Sequence, residues 1–209
     1  GLRSVAIGLY AGCWSQNPQS VAVGYNAGFS GQGDTSVAIG SSAGYSSQGI
    51  GSVAIGHLAG YSGQGDDAIS LGSSAGSSFQ GASAVAIGSS AGYGLQGISS
   101  VAIGDQAGYA GQGDYSNAIG NLAGNRGQTP FSVAVGYQAG ESSQGISSIA
   151  IGERSGCGSQ GNIAVAIGLR AGYTGQGDYS VAIGYDAGSN NQQTGAISIG
   201  SQAGNFSQG

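Results

Sequence analysis

Apolar and polar positions alternate over short segments that recur at a fixed spacing along the chain. Val5 and Ile7 flank Ala6, Gly8 follows, and a similar arrangement returns every sixteen residues, with glycine at each step from Gly8. Alternation over three to five residues is typical of a β-strand, because successive side chains point to opposite faces. Each repeat is therefore predicted to contribute one short strand.

The spacing never changes. Thirteen copies of the sixteen-residue repeat fill 208 of the 209 residues without an insertion or deletion. A fixed short period indicates stacked units, with one coil per repeat. We therefore predict an all-β fold, a parallel β-solenoid (β-roll) of thirteen sixteen-residue coils, with residues 1–209 as a single repeat domain without evident caps. A helix is disfavoured, because each recurring glycine would cost about 1 kcal/mol in one.

The alternation also predicts which side chains fill the interior. Val5 and Ile7 lie on one strand face and Ala6 on the other, and β-branched residues occupy the first face in nearly every coil. We expect that face to form a continuous Val/Ile core. The small residues opposite would form an outer strip about 60 Å long that packs against another chain, or would simply face solvent. The predicted interface residues are Ala6, Ala22, Ala38, Ala54, Ala102 and Ala134.

Glutamine closes every repeat. An amide at the same place in each coil predicts an inward or turn-capping ladder, in which each side chain bonds its neighbours or nearby backbone. A row of amides offered to a ligand is the functional alternative. The ladder consists of Gln16, Gln32, Gln48, Gln64, Gln80, Gln96, Gln112, Gln128, Gln144, Gln160, Gln176, Gln192 and Gln208.

Aromatic residues concentrate in one variable column. Rings in register on neighbouring coils can stack edge to edge while their hydroxyls reach water. They either shield a thin core or form a rim suited to binding a sugar or another surface. The predicted rim residues are Tyr45, Tyr61, Tyr93, Tyr109 and Tyr173.

Composition excludes several classes of protein. The 46 glycines fall mostly in the columns of Gly8, Gly12 and Gly33, where we predict turns that need positive φ. Hydrophobic residues make up 39% of the chain and the net charge is −5, which is unlike a disordered segment. The four basic residues are all arginines, so no basic stripe for nucleic acid is predicted. No apolar stretch is long enough to span a membrane.

Chemically reactive residues are sparse. Cys13 and Cys157 share a column nine coils apart, roughly 40 Å, whereas a disulfide needs Cα atoms within about 7 Å. Each is therefore predicted to be a free thiol, a buried small hydrophobe or a partner for another subunit. His57 is the only histidine, and the repeat columns contain no recognisable combination of nucleophile, base and acid. The sequence predicts neither catalysis nor a cofactor.

Aspartates follow Gln-Gly at four places, two to four coils apart: Asp34, Asp66, Asp114 and Asp178. At about 4.8 Å per coil they lie too far apart to share a calcium ion, which takes ligands at about 2.4 Å. Their spacing is interpreted as keeping like charges off adjacent coils. No metal site is predicted.

The segment Ser36-Val37-Ala38-Ile39-Gly40 followed by Ala43-Gly44 resembles the head repeats of trimeric autotransporter adhesins. It is also similar to repeats of phage and viral fibres. The resemblance implies a left-handed parallel β-roll that trimerises and is displayed on the cell surface, where it binds host matrix or cells.

These features together predict a non-catalytic structural fibre or surface adhesin. The expected molecule is a rigid rod that self-associates as a trimer or an end-to-end filament on a cell or virion surface. A glycan or a host surface is its expected ligand. The alternative is ice binding, because the sixteen-residue period is similar to that of ice-nucleation repeats, although the chain has only four threonines: Thr35, Thr129, Thr174 and Thr194.

Overall fold

A computed structural model describes residues 2–206, which belong to two compact units, Gly1–Asp105 and Gln106–Gly209. The described residues form strands and turns without a helix. The strands of the first unit are β1 (Val5–Ile7), β2 (Trp14–Gln16), β3 (Val21–Val23), β4 (Ser30–Gln32), β5 (Val37–Ile39), β6 (Ser46–Gln48), β7 (Val53–Ile55), β8 (Ser62–Gln64), β9 (Ile69–Leu71), β10 (Ser78–Gln80), β11 (Val85–Ile87) and β12 (Val101–Ile103). Those of the second unit are β13 (Ala110–Gln112), β14 (Asn117–Ile119), β15 (Arg126–Gln128), β16 (Val133–Val135), β17 (Ser142–Gln144), β18 (Ile149–Ile151), β19 (Val165–Ile167), β20 (Val181–Ile183) and β21 (Ile197–Ile199).

Each unit contains two parallel sheets. In the first unit one sheet runs β1-β3-β5-β7-β9-β11-β12 and the other β10-β8-β6-β4-β2. In the second unit the corresponding orders are β14-β16-β18-β19-β20-β21 and β13-β15-β17. Paired residues are one repeat apart, as where Val21 lies opposite Val37 and Gln32 opposite Gln48. The prediction of an all-β parallel solenoid with sixteen-residue coils is confirmed.

The coil that begins with β3 consists of two short strands and two four-residue turns. After β3 the chain turns at Gly24–Ala27, where the Ala27 amide donates to the Gly24 carbonyl at 3.4 Å. After β4 it turns again at Gly33–Ser36, where the Ser36 hydroxyl donates to the Gly33 carbonyl at 2.7 Å. Each coil is therefore flattened, with the two strands facing each other across a narrow interior.

The smallest side chains fill that interior, and the predicted Val/Ile core is wrong. The central alanine of the first strand is fully buried at Ala22, Ala38, Ala54, Ala102 and Ala134. The flanking β-branched residues point outward, and Ile39 and Ile55 are each 38% exposed. The predicted outer strip of alanines is therefore wrong as well; Ala6 is exposed, but it belongs to the first described coil.

The narrowness of the coil explains why alanine, rather than valine, points inward. A Cβ placed on Gly28 would lie 3.3 Å from the Cβ of Ala22 and 2.7 Å from the side-chain oxygen of Gln32. The alanine methyl group and the glutamine side chain already fill the space between the two strands. A valine would add methyl groups there, and a close-packed interior does not accommodate them without strain.

Glycine serves two different purposes in the stack. Gly24 has φ of +133°, and a Cβ there would lie 2.5 Å from the carbonyl oxygen of Gly40 in the next coil. Gly33 was expected to need positive φ but does not adopt it. A Cβ on Gly33 would instead lie 2.5 Å from the carbonyl carbon of Gly49. In that column the close approach of adjacent coils, rather than the turn conformation, excludes a side chain.

Candidate functional site

The outward face of the longer sheet is an apolar surface, here called the Val/Ile face. In the first unit it is formed by two rows of β-branched residues, one containing Val37 and Val53 and the other containing Ile39 and Ile55. Register pairing places each residue beside its equivalent one coil away. The second unit repeats the pattern, and Asn117 is the polar exception. Sequence reasoning found these residues but assigned them to the interior.

The glutamine ladder lies inside the coils. Gln32 is fully buried, and its amide nitrogen donates to the Val21 carbonyl at 2.7 Å; Gln64 donates to the carbonyls of Val53 at 2.9 Å and Ala68 at 3.1 Å. In the described coils these glutamines point inward and bond backbone carbonyls instead of neighbouring amides. The exposure of an amide row to a ligand is contradicted by this burial. Gln208 lies outside the described residues.

The side-chain oxygens of most buried glutamines have no hydrogen-bond partner in the described structure, Gln32 and Gln48 among them. Gln80 differs, because Ser70 replaces the usual alanine and its hydroxyl donates to the Gln80 oxygen at 2.7 Å. The same hydroxyl accepts a hydrogen bond from Gln64 at 3.3 Å. A serine in the alanine column therefore satisfies the oxygen that alanine leaves unpaired.

Two residues of the predicted tyrosine rim, Tyr45 and Tyr61, are in direct contact. Tyr45 and Tyr61 stack face to face at a centroid separation of 4.9 Å with an interplanar angle of 10°, so the expected edge-to-edge contact is wrong. Tyr93 lies in the first unit and is 38% exposed, whereas Tyr109 lies in the second and is half-buried. The Tyr173 ring is covered by the Arg170 guanidinium at 5.7 Å. Arg170 also pairs with the buried Asp186 at 2.9 Å.

The first unit contains an aromatic pocket that sequence reasoning did not identify. Its volume is about 340 Å³. It is lined by Tyr10, Cys13, Trp14, Tyr25, Asn26, Phe29 and Tyr45. The signal available in the sequence was the density of aromatic residues in the first two repeats, where Tyr10 and Trp14 occupy columns in which later repeats mostly place small or polar residues.

Two of the aspartates that follow Gln-Gly, Asp66 and Asp178, cap the turn of the preceding coil. The Asp66 carboxylate accepts a hydrogen bond from the Ile50 amide at 2.8 Å, and Asp178 accepts one from the Asn162 amide at the same distance. Asp34 is in register with Pro18, which has no amide hydrogen to donate. Their role therefore includes capping, which sequence reasoning missed.

Both cysteines are free thiols. Cys13 is exposed, whereas the Cys157 thiol is half-buried and donates to the Glu141 carboxylate at 3.5 Å. Burial, followed by the hydrogen bond and the negative charge of Glu141, raises the pKa of Cys157 to about 11. Cys157 is consequently a poor nucleophile at neutral pH.

Residues 2–206 contain no group of three or more His, Cys, Asp or Glu side chains placed to hold a metal ion. His57 lies exposed on a turn. Within the same residues, no helix has the length and apolar character needed to cross a membrane.

Comparison with known families identifies one region of similarity. Residues 176–203, which contain β20 and β21, match the YadA head domain repeat in two copies. No curated protein matches the chain significantly. The match confirms the predicted resemblance to adhesin head repeats.

Proposed function

We propose that this chain is a non-catalytic structural segment of a surface-displayed adhesin and that it self-associates through the Val/Ile face. The match of residues 176–203 to the YadA head domain repeat supports the adhesin assignment. The single observation that carries self-association is the outward orientation of the β-branched rows, with residues such as Ile39 38% exposed.

A regular, exposed apolar face of this kind is typical of a surface that binds a partner. Soluble monomers rarely expose contiguous apolar patches larger than a few hundred Å². The Val/Ile face is repeated by every coil of each unit and carries no charged side chain in its rows. Burial of apolar area contributes roughly 25 cal/mol per Å², so even a modest loss of exposure per coil adds up over many coils.

Further copies of the same chain are the partner that best fits this face. A neutral apolar surface has no charge with which to attract a charged ligand. A second copy of the chain presents the same rows at the same sixteen-residue spacing, so the two faces match along their length. Three chains packed with these faces inward would shield the rows from water. The proposed assembly is therefore a trimer, the state that the adhesin resemblance implies, and an end-to-end filament is the competing outcome.

The repeat architecture supports the non-catalytic part of the proposal. Stacked coils present the same few columns of residues over and over, which suits extended contact surfaces. Contact with a host surface would use the columns outside the Val/Ile face.

The ice-binding alternative is not favoured. The outward rows of the longer sheet are built of Val and Ile, while threonine hydroxyls bond elsewhere in the molecule. Thr129 donates to the Gln144 carbonyl at 2.8 Å, and Thr35 to the Asp34 carbonyl at 2.7 Å. No ladder of threonines is formed by the described residues.

Surface labelling and bead adhesion test this function together. Antibodies raised against the chain should label intact source cells, and beads coated with the purified chain should adhere saturably to host cells or matrix. Soluble chain should compete with the beads, whereas an equal mass of serum albumin should not. Labelling that requires permeabilised cells, together with non-saturable adhesion, would contradict the proposal.

A further inference from the structure

The stack of aromatic rings in the first unit ends abruptly at Phe29. Phe29 stacks on Tyr45 with centroids 4.9 Å apart and planes inclined by 4°, and Tyr45 stacks on Tyr61 at the same separation. The residue in register with Phe29 in the preceding coil is Cys13. Because a thiol stands where a further ring would continue the stack, the aromatic pocket opens at this position.

Three other rings, those of Tyr10, Tyr25 and Trp14, enclose the opening. Tyr10 lies 6.4 Å from Phe29 with its plane turned by 82°, and 6.4 Å from Tyr25 with its plane turned by 65°. Trp14 also lines the pocket and remains 65% exposed. The pocket therefore combines a parallel stack that ends at Phe29 with side walls of differently oriented rings.

The pocket has the size and polarity of a site for a small neutral ligand. Its volume of about 340 Å³ lies within the range of about 300 to 1,000 Å³ found for small-molecule sites. No Asp, Glu, Lys or Arg lines it, and its polar side chains are Asn26, Cys13, the tyrosines and Trp14. Such groups offer hydrogen bonds next to apolar ring surface.

We propose that the aromatic pocket binds a neutral pyranose ring of a glycan. A pyranose presents a flat face of C–H groups, which can take the place of the missing ring against Phe29, and a rim of hydroxyls, which can bond Asn26 and the tyrosine hydroxyls. This proposal rests on the proposed adhesin function, because it names the class of ligand that one surface of the adhesin would bind.

Cys157 occupies the same column in the second unit but does not create an equivalent site. Its thiol is hydrogen-bonded to Glu141, and the neighbouring Tyr173 ring is covered by Arg170. The pocket therefore depends on the local combination of a small residue at Cys13 and the surrounding rings. Cys157 then serves as an internal reference.

Two groups inside the pocket report on occupancy. Cys13 is an exposed thiol, and Trp14 is the only tryptophan of the chain. Methyl β-D-galactopyranoside and methyl β-D-glucopyranoside at millimolar concentration are suitable probes. At least one should slow alkylation of Cys13 by iodoacetamide several-fold and change the Trp14 fluorescence in a saturable manner, while Cys157 alkylation stays unchanged.

Substitutions at Cys13 that fill the space or keep it open provide the matched variants. Cys13→Tyr should extend the ring stack, retain the wild-type circular dichroism spectrum and lose the sugar-dependent fluorescence change. Cys13→Ser keeps the space open and should retain the change. If Cys13→Tyr fails to fold, thiol protection in the wild-type chain remains decisive.

The proposal is overturned if neither pyranoside protects Cys13 nor alters Trp14 fluorescence, or if only choline does so, which would indicate a quaternary ammonium site. If the wild-type chain binds no sugar but surface labelling and bead adhesion are observed, only the pocket assignment is contradicted. Sugar binding without surface labelling or adhesion would leave the pocket assignment standing and contradict the proposed function.

Discussion

The side-chain amide of Gln48 donates a hydrogen bond to the backbone carbonyl of Val37, 2.8 Å away, across the interior of one coil. This bond joins the second strand of the coil to the first. Gln48 is buried, so a replacement without a donor would leave the Val37 carbonyl without this bond in a dry interior. The glutamine at the end of each repeat is therefore explained as a cross-strand strut.

Replacing this strut should destabilise the fold. We expect Gln48→Leu to lower the free energy of unfolding by about 1 to 3 kcal/mol, because a buried acceptor loses its donor. Urea denaturation followed by circular dichroism measures the change. Gln193→Leu, at an exposed glutamine outside the ladder, is the control and should change stability by less than about 0.5 kcal/mol. Equal losses of unfolding free energy for the two substitutions would contradict the cross-strand role of Gln48.

The alanine column should tolerate a buried hydroxyl better than a buried methyl group. Ala38→Ser should place its hydroxyl as Ser70 does, where it bonds a glutamine oxygen at 2.7 Å, and so leave stability unchanged or raise it by up to about 1 kcal/mol. Ala38→Val should cost about 1 to 3 kcal/mol through overpacking. The same denaturation measurement applies, and a serine variant less stable than the valine variant would refute this account.

The sequence was sufficient for the period, the strand positions and the parallel stacking. It did not decide which face of the first strand points inward, because alternation at Val37, Ala38 and Ile39 is equally consistent with either orientation. The deciding quantity is the separation of the two sheets, which is set by the facing glycine and glutamine columns. Gly44 illustrates this, since a Cβ there would lie 3.2 Å from that of Ala38.

Candidate sites were harder to predict for a similar reason. The aromatic column was visible in the sequence, and the proximity of Tyr45 and Tyr61 follows from its register, but their face-to-face geometry does not. The pocket beside Cys13 depends on the orientations of Tyr10 and Trp14, two rings in columns that are otherwise mostly small or polar. Ring orientation depends on contacts between coils that a one-dimensional pattern does not contain.

The capping aspartates make a matched pair of variants possible. Asp66→Ala removes the acceptor for the Ile50 amide and should destabilise the chain by about 1 kcal/mol. Asp34→Ala should have a much smaller effect, since Pro18 in the preceding coil has no amide hydrogen. Thermal unfolding of both variants and the wild type compares them, and similar losses would mean that charge spacing, not capping, explains these residues.

The two thiols should differ in reactivity and pH dependence. Burial and Glu141 raise the pKa of Cys157 from 9.0 to about 11, so its alkylation rate should keep rising up to about pH 11. Since the folded pKa is the higher one, this group's stabilising contribution is present below pH 9 and is lost as the pH rises through about 11. Glu141→Gln should speed Cys157 alkylation while leaving Cys13 unaffected.

Peptide mass spectrometry of iodoacetamide adducts at several pH values separates the two sites. Cys13 should be modified well before Cys157 at pH 8. Faster modification of Cys157, or a rate insensitive to the Glu141 substitution, would contradict the role assigned to burial and to this carboxylate.

The mass of the chain in solution tests self-association through the Val/Ile face most directly. Sedimentation equilibrium of the wild-type protein should give three times the 20.0 kDa of the chain, and the double variant Ile39→Lys, Ile55→Lys should shift the mass toward 20.0 kDa. The matched double variant Ser73→Lys, Ser89→Lys, at exposed turn positions, should keep the wild-type mass. A wild-type chain that remains at 20.0 kDa at every concentration, or isoleucine variants that assemble like the wild type, would contradict the account.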